Sequence, residues 1–326
     1  MMAYEDELTP ASVLAAAHRL KGRVTRTPLS YDDRLSEISG ASVYLKQENL
    51  QDTGSFKIRG GLNRLLTLSA EERASGVIAA SAGNHALGLA RAASLLGVRA
   101  TVLVPESGSP AKIAALRRFP PELIELRIEG ADYDEAEAQG IALARETNRR
   151  YVSAYNDPQV MSGQGTIAVE MLEDLPQVDV LLVPVGGGGL ISGIGLWAKA
   201  VNPAIRVIGV QSTASPQMRA AFEAGELVTV PVLGSLADGL AGNIEPGSPM
   251  YDLARRYADE IALVEETEIA SAMVWYLEHH HLVVEGSGAV VLAALLNRHI
   301  TGIEGKTVAA VLTGRNVALE RLKALL

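Results

Sequence analysis

Val178-Asp179-Val180-Leu181-Leu182-Val183-Pro184 runs into Val185-Gly186-Gly187-Gly188-Gly189-Leu190, and Ile191 opens an apolar helical stretch. A β-branched apolar run, a glycine turn and a helix make the start of a crossover between parallel strands. Four consecutive glycines leave backbone N–H groups bare and allow φ > 0, so the chain can wrap an anion closely. The helix that follows adds unpaired N–H groups and the positive end of its dipole. No Lys-Ser/Thr pair comes after the turn, which separates it from a nucleotide-triphosphate loop. A dinucleotide site would want an acidic residue at the end of the next strand to hold a ribose. That strand, predicted over 207–210, ends in Gln211. A phosphate monoester fits the turn better.

Outward from this turn the same alternation covers most of the chain. Further strands are predicted over 42–46, 76–80, 100–105, 124–128, 207–211, 261–264 and 307–312. Helices are predicted over 86–96, 133–147, 165–175 and 191–201. The pattern implies an α/β fold with parallel sheets, whose ligands collect at the carboxyl ends of the strands. A length of 326 residues suggests two domains. No flexible tether is visible, so the second is expected as an insertion into the first. The formal charge of −9 argues against nucleic acid as a partner. Zero cysteines exclude disulfides, thiolate metal sites and a cysteine nucleophile. The opening MMAYEDELTP has neither a basic nor an apolar leader segment, and no apolar run is long enough to span a bilayer. A cytoplasmic protein with no membrane partner is expected.

Gln47-Glu48-Asn49-Leu50-Gln51-Asp52-Thr53-Gly54-Ser55-Phe56-Lys57-Ile58-Arg59-Gly60 follows the strand at 42–46. Gly54 and Ser55 read as a turn and cap, which puts Lys57 in the first turn of a helix. The macrodipole disfavours a cation there, whereas a nucleophilic amine of lowered pKa suits the position. Ser81-Ala82-Gly83-Asn84-His85 comes next, and then the tetraglycine turn. These three motifs, in this order, resemble the fold-type-II pyridoxal-phosphate enzymes, and within them the threonine/serine dehydratase and serine racemase family. The resemblance runs from Thr27-Pro28-Leu29 to Thr313-Gly314-Arg315-Asn316. It takes in Ser162-Gly163-Gln164-Gly165-Thr166 and Leu236-Ala237-Asp238-Gly239.

The resemblance implies a tryptophan-synthase-β-like fold of two parallel-type α/β domains, with pyridoxal 5′-phosphate in the cleft between them. Residues 1–72 and 154–326 would form the large cofactor-binding domain, and residues 73–153 the small inserted domain that receives the substrate carboxylate. Lys57 would carry the cofactor as an imine, with Phe56 beside it and Asn84 bonded to the ring's 3′ oxygen. Gly186, Gly187, Gly188, Gly189 and the Leu190 N–H would cradle the 5′-phosphate. Ser81, Ala82, Asn84 and His85 would meet the substrate carboxylate. Glu285 matches an acidic residue near the ring; on the residues alone it is also a carboxylate favoured at a helix start. Thr313 would face the pyridine nitrogen. A neutral hydroxyl there leaves the ring a weaker electron sink than a carboxylate would, which favours loss of a β-leaving group.

The activity implied is α,β-elimination from a β-hydroxy amino acid, L-threonine or L-serine, to a 2-oxo acid and ammonia, with Lys57 as the catalytic residue. The alternatives are racemisation, and dehydration of another 3-hydroxy amino acid or a hydroxyectoine-derived substrate. Racemases of the group carry a second serine where this chain has Ala82, and inversion needs proton donors on two faces. A non-catalytic phosphate binder would leave Lys57 and Asn84 unexplained. The carboxylates of the family's divalent-cation site are matched by Gln211 and by Pro216 or Gln217, so no metal is expected. Arg315 could approach an acidic group on a substrate or pair with a surface carboxylate. The chain ends 10 residues after Asn316, so no regulatory domain and no isoleucine feedback are expected. The family also implies a homodimer or homotetramer. His279-His280-His281 projects its side chains in different directions and is not expected to hold a metal. The segment 133–150 reads as a solvated helix face, and Asp32-Asp33 as a helix cap.

Overall fold

Strand order places the tetraglycine turn near the middle of a mostly parallel sheet. The structure is a computed structural model and describes residues 2–81, 83–106, 108, 110–245 and 247–326. Its strands are β1 (Leu29–Asp32), β2 (Ser42–Lys46), β3 (Val77–Ala80), β4 (Ala100–Val104), β5 (Ile124–Ile128), β6 (Arg150–Tyr151), β7 (Val180–Pro184), β8 (Arg206–Ser212), β9 (Glu260–Val264) and β10 (Thr307–Val311). They form a six-stranded sheet, β1-β2-β10-β7-β8-β9, and a four-stranded one, β5-β4-β3-β6. The eight strands read from apolar runs are present to within two residues at each end. β1 and β6 were not expected. β1 is a short, half-exposed edge strand, antiparallel to β2 where the rest of the sheet is parallel. β6 is two residues long. Neither carries the buried apolar run that marks a parallel strand.

Alternate side chains of the central strands feed opposite cores. Leu181, Val183, Ala309 and Val311 enter one apolar cluster, and Val180, Leu182, Val308 and Ala310 enter the other. That period of two explains why these strands read as continuous apolar runs: helices cover both faces. The four-stranded sheet repeats the plan, with Val77 and Ala79 on one side and Ile78 and Ala80 on the other. Among the described residues, no helix is long and apolar enough to cross a membrane.

The helix Lys57–Leu66 joins the two halves. Ile58, Leu62 and Leu65 pack in the same cluster as Val77 and Ala79 of the small sheet. Its other face crosses the helix Pro158–Asp174 so closely that a Cβ on Gly163 would lie 2.7 Å from Gly60 Cα. Just beyond Lys57, four charged side chains meet in the interior. Arg59 binds Glu48 through two bonds of 2.8 Å and Glu170 through bonds of 2.7 and 2.9 Å. Lys46 closes the set on Glu170 at 2.6 Å. Two cations against two carboxylates leave the cluster neutral, which is what burial of charge demands.

The cap expected at Ser55 is displaced by one residue. Phe56 holds the cap position, with no side-chain bond to the helix. Ser55 instead pairs with Gly314 in an isolated bridge, a tertiary contact that takes it out of capping range. Asp32 does cap its helix, accepting from Leu35 N–H at 2.9 Å. The three histidines separate as expected. His279 stacks on Trp275, His280 pairs with Asp32 at 2.9 Å, and His281 ends the helix at φ 56°.

Candidate active site

The carboxyl ends of β3, β7 and β10, with the start of the Lys57 helix, surround a cavity of about 550 Å³. Lys57 is the first residue of its helix and projects into this space. Its Nζ donates to Ala154 O at 2.8 Å and lies 5.2 Å from the centre of the Phe56 ring. Burial lowers its pKa to about 8, with the charge of Glu285 pulling the other way. About a fifth of the amine is therefore neutral near pH 7.4, against roughly one part in a thousand for a lysine in water.

Across the cavity, β7 runs into the tetraglycine turn and the helix Gly189–Val201. Gly188 occupies the cap position in the left-handed region, φ 88°, and no side chain caps the helix. The neighbouring glycines are required by close approach. A Cβ on Gly187 would lie 2.6 Å from the Tyr155 ring, and one on Gly189 would lie 2.5 Å from Tyr155 O. Tyr155 is held in turn through its hydroxyl on Glu245, which also accepts from Asn156 Nδ2 at 2.5 Å. The turn thus presents bare N–H groups to the cavity and is held by close packing against Tyr155.

The remaining walls are side chains. Asn84 opens the helix Asn84–Leu96, donates to Glu285 Oε1 at 2.5 Å and accepts from Asn316 Nδ2 at 2.8 Å. Glu285 lines the cavity and is also the cap residue of the helix Gly286–Leu296, with no side-chain bond to that helix. Thr313 Oγ1 is buried and has no partner among the described residues. Ser81 follows β3 and accepts from Gly83 N–H at 3.1 Å. Ala82 lies outside the described residues. His85 is turned inward, its Nε2 donating to Val152 O at 2.9 Å. A carbonyl only accepts, so Nε2 carries the hydrogen and Nδ1 is bare, without a partner. Burial and the Lys57 charge hold its pKa down at about 3, so the ring stays neutral.

Residues that sequence reading did not single out also line the cavity. Tyr133, read as part of a solvated face, faces it from the first turn of its helix, its hydroxyl 3.0 Å from Glu137 Oε1. Tyr155 and Gln164 line it too; Gln164 lies inside the motif over 162–166, which gives it no role by itself. Arg315 takes neither of its expected positions. It is exposed, lies off the cavity and donates to Asn49 O. Gln211 and Gln217 are engaged within the chain, accepting from Arg219 N–H at 2.9 Å and Ile244 N–H at 2.5 Å.

A lysine at an uncapped helix start, facing an anion cradle across one cleft, belongs to a known family. The chain is a member of the pyridoxal-phosphate dependent enzymes, whose family profile matches residues 20–314. Its fold is that of the fold-type-II branch. Among its relatives, the L-threonine ammonia-lyase of Thermotoga maritima is 45% identical over 310 residues, covering 95% of this chain and 76% of that protein. The catabolic L-threonine dehydratase of Escherichia coli K12 is 38% identical over 320 residues, covering 98% and 96%. Among solved structures, maize serine racemase superposes with a TM-score of 0.90 at 31% identity, covering 97% of this chain and 96% of that one.

Proposed function

We propose that this protein is a pyridoxal-phosphate-dependent ammonia-lyase that converts L-threonine or L-serine to the 2-oxo acid and ammonia. The observation that carries this reading is the Lys57 amine opening onto the same cavity as the tetraglycine cradle. The donor set fits the cofactor on three counts. The turn offers N–H groups where a Cβ on Gly187 or Gly189 would collide with Tyr155. Thr313 Oγ1 is a buried hydroxyl with no partner among the described residues. Lys57 is an amine with lowered proton affinity.

Gly186, Gly187, Gly188, Gly189 and Leu190 would hold the phosphate, Phe56 would flank the ring, and Asn84, Glu285 and Thr313 would meet its edge. Bound there, pyridoxal phosphate supplies an electron sink for the substrate's α-carbon. Lys57 holds the cofactor covalently and, when its amine is free, takes the α-proton as general base. Ser81, Asn84 and His85 stand at a helix N-terminus, which suits the substrate carboxylate, and Ala82 is assigned to the same role from sequence. His85, being neutral, contributes backbone dipole and shape there, not charge. The side chain at position 82 carries no proton, so Lys57 has no partner base from that residue, and elimination is preferred to inversion. Residues 1–72 with 154–326 and residues 73–153 are taken as the two domains, each holding one sheet, with the Lys57 helix packed against the smaller one. A homodimer or homotetramer in the cytoplasm completes the reading.

The deciding experiment incubates the cofactor-loaded protein with L-threonine, L-serine and other 3-hydroxy amino acids, with 2-oxo acid detection beside a chiral assay. Release of 2-oxobutanoate or pyruvate faster than any D-amino acid supports the lyase. Faster formation of D-serine than of pyruvate would establish the racemase instead, the reading favoured by the likeness to maize serine racemase.

A further inference from the structure

Gln164 is 2% exposed and lines the cavity, yet neither Oε1 nor Nε2 has a hydrogen-bond partner among the described residues. A primary amide offers two donors and an acceptor with two lone pairs, and leaving all of them unmet in the interior is costly. Such a group in a native fold calls for a partner from outside these residues, an ordered water or a group that comes and goes. Its position indicates which one. A Cβ on Gly60 would collide with Gln164 Nε2, so the amide fills the space that a side chain at position 60 would occupy. In a helix that space lies over the preceding turn, and the preceding turn of this helix begins with Lys57. Lys57 and Gly60, three residues apart, share one face.

The geometry points to Gln164 as a positioning residue for the Lys57 amine, accepting a hydrogen bond from Nζ whenever that amine is free of the cofactor and has left Ala154 O. This rests on the reading of Lys57 as the reactive amine and adds a second station to it. The amine has one acceptor at present, Ala154 O at 2.8 Å. A base that alternates between a covalent bond and a proton needs a place to wait that keeps it inside the cavity. Gln164 supplies that place without a charge that would hold the amine permanently protonated.

The test uses cofactor-free protein. The titration of Lys57 is followed by pH-dependent competitive acylation and peptide mass spectrometry in wild type, Gln164→Glu and Gln164→Leu. A carboxylate at that distance should raise the midpoint of Lys57 by about one pH unit or more, and leucine should lower it. Gln164→Leu should keep or raise the melting temperature, because an apolar side chain of similar shape removes an unmet amide. In the loaded enzyme the same variant should lose about tenfold in kcat with KM within about twofold. Midpoints unchanged in both variants, or a leucine variant that melts earlier with kcat unaltered, would overturn the inference. If the glutamate variant does not fold, the direction of the leucine shift decides. Failure of the Lys57 reading looks different: Lys57→Ala would then retain turnover, whatever Gln164 does.

Discussion

The two walls of the cavity are built on opposite plans. At the end of β7, binding groups are backbone N–H, and side chains are excluded because Tyr155 and Leu240 approach the turn too closely to leave room for a Cβ. The facing wall is built from side chains, Lys57, Asn84, His85, Gln164 and Thr313, with Thr313 Oγ1, His85 Nδ1 and the Gln164 amide all lacking partners among the described residues. The first wall is finished as it stands and recognises one shape. The second is deliberately incomplete, with hydrogen-bonding capacity held for whatever enters. A site that must grip one group permanently and exchange another in each turnover divides the work this way.

The comparison breaks most completely at Lys57. Lys57→Ala should lose at least about 10⁴-fold in 2-oxo acid formation, since covalent attachment and base catalysis go together. Circular dichroism and melting temperature should be preserved, because only one buried amine is removed. Wild-type turnover in this variant would end the assignment. Behind the same wall, Arg59→Met strands Glu48 and Glu170 without their main cation, at a cost of about 3–5 kcal/mol. Urea unfolding measures it, and a change below about 1 kcal/mol would mean the cluster is better hydrated than its burial indicates. On the backbone wall, Gly189→Ala brings a Cβ to 2.5 Å from Tyr155 O, so the cradle must shift. A strain of about 1–3 kcal/mol should appear as cofactor affinity weakened by about 10–100-fold in a titration, with Lys57 titration unmoved.

The smallest expected effect is in pH dependence, and its sign follows from Lys57. Its folded value, about 8, lies below the unfolded 10.5, so between these values the unfolded chain binds more protons. Stability of the cofactor-free protein should therefore gain from this group as pH rises through that window, and the gain should be absent in Lys57→Met. The rate of cofactor capture should climb with the neutral amine fraction up to pH about 8 and then level. A profile still climbing at pH 10, with no levelling near 8, would show that the amine is as basic as one in water.

What sequence revealed and what it hid divide along the same line. The tetraglycine turn was legible because the bare run of glycines is itself the functional feature, needing no distant partner to be understood. Lys57 in a first helical turn was also legible, although the cap was assigned to Ser55. The bridge between Ser55 and Gly314 that moves the cap to Phe56 joins residues far apart in the chain. Gln164 was invisible for a similar reason. Its isolation exists only because Gly60 and Gly163 let two helices cross closely. The charge cluster draws Lys46, Glu48 and Arg59 from one stretch and Glu170 from another, and no local pattern announces that they meet. Tyr133 was grouped with a polar helix face, yet its first-turn position turns it to the cavity. β1 was missed because an edge strand needs no apolar run to be paired.

The place of β10 in the large sheet has a consequence for how the protein is made. β10 pairs with β2 on one side, Val311 opposite Lys46, and with β7 on the other. About 260 residues separate the two strands of the first pair. At ~5–20 residues per second, β2 waits roughly 13–50 s on the ribosome for its neighbour. The four-stranded sheet, whose strands all fall between Val77 and Tyr151, has no such delay. It can be complete while β2, paired only with β1, still lacks β10 on its other edge, so the nascent large sheet is where a holding chaperone would be needed.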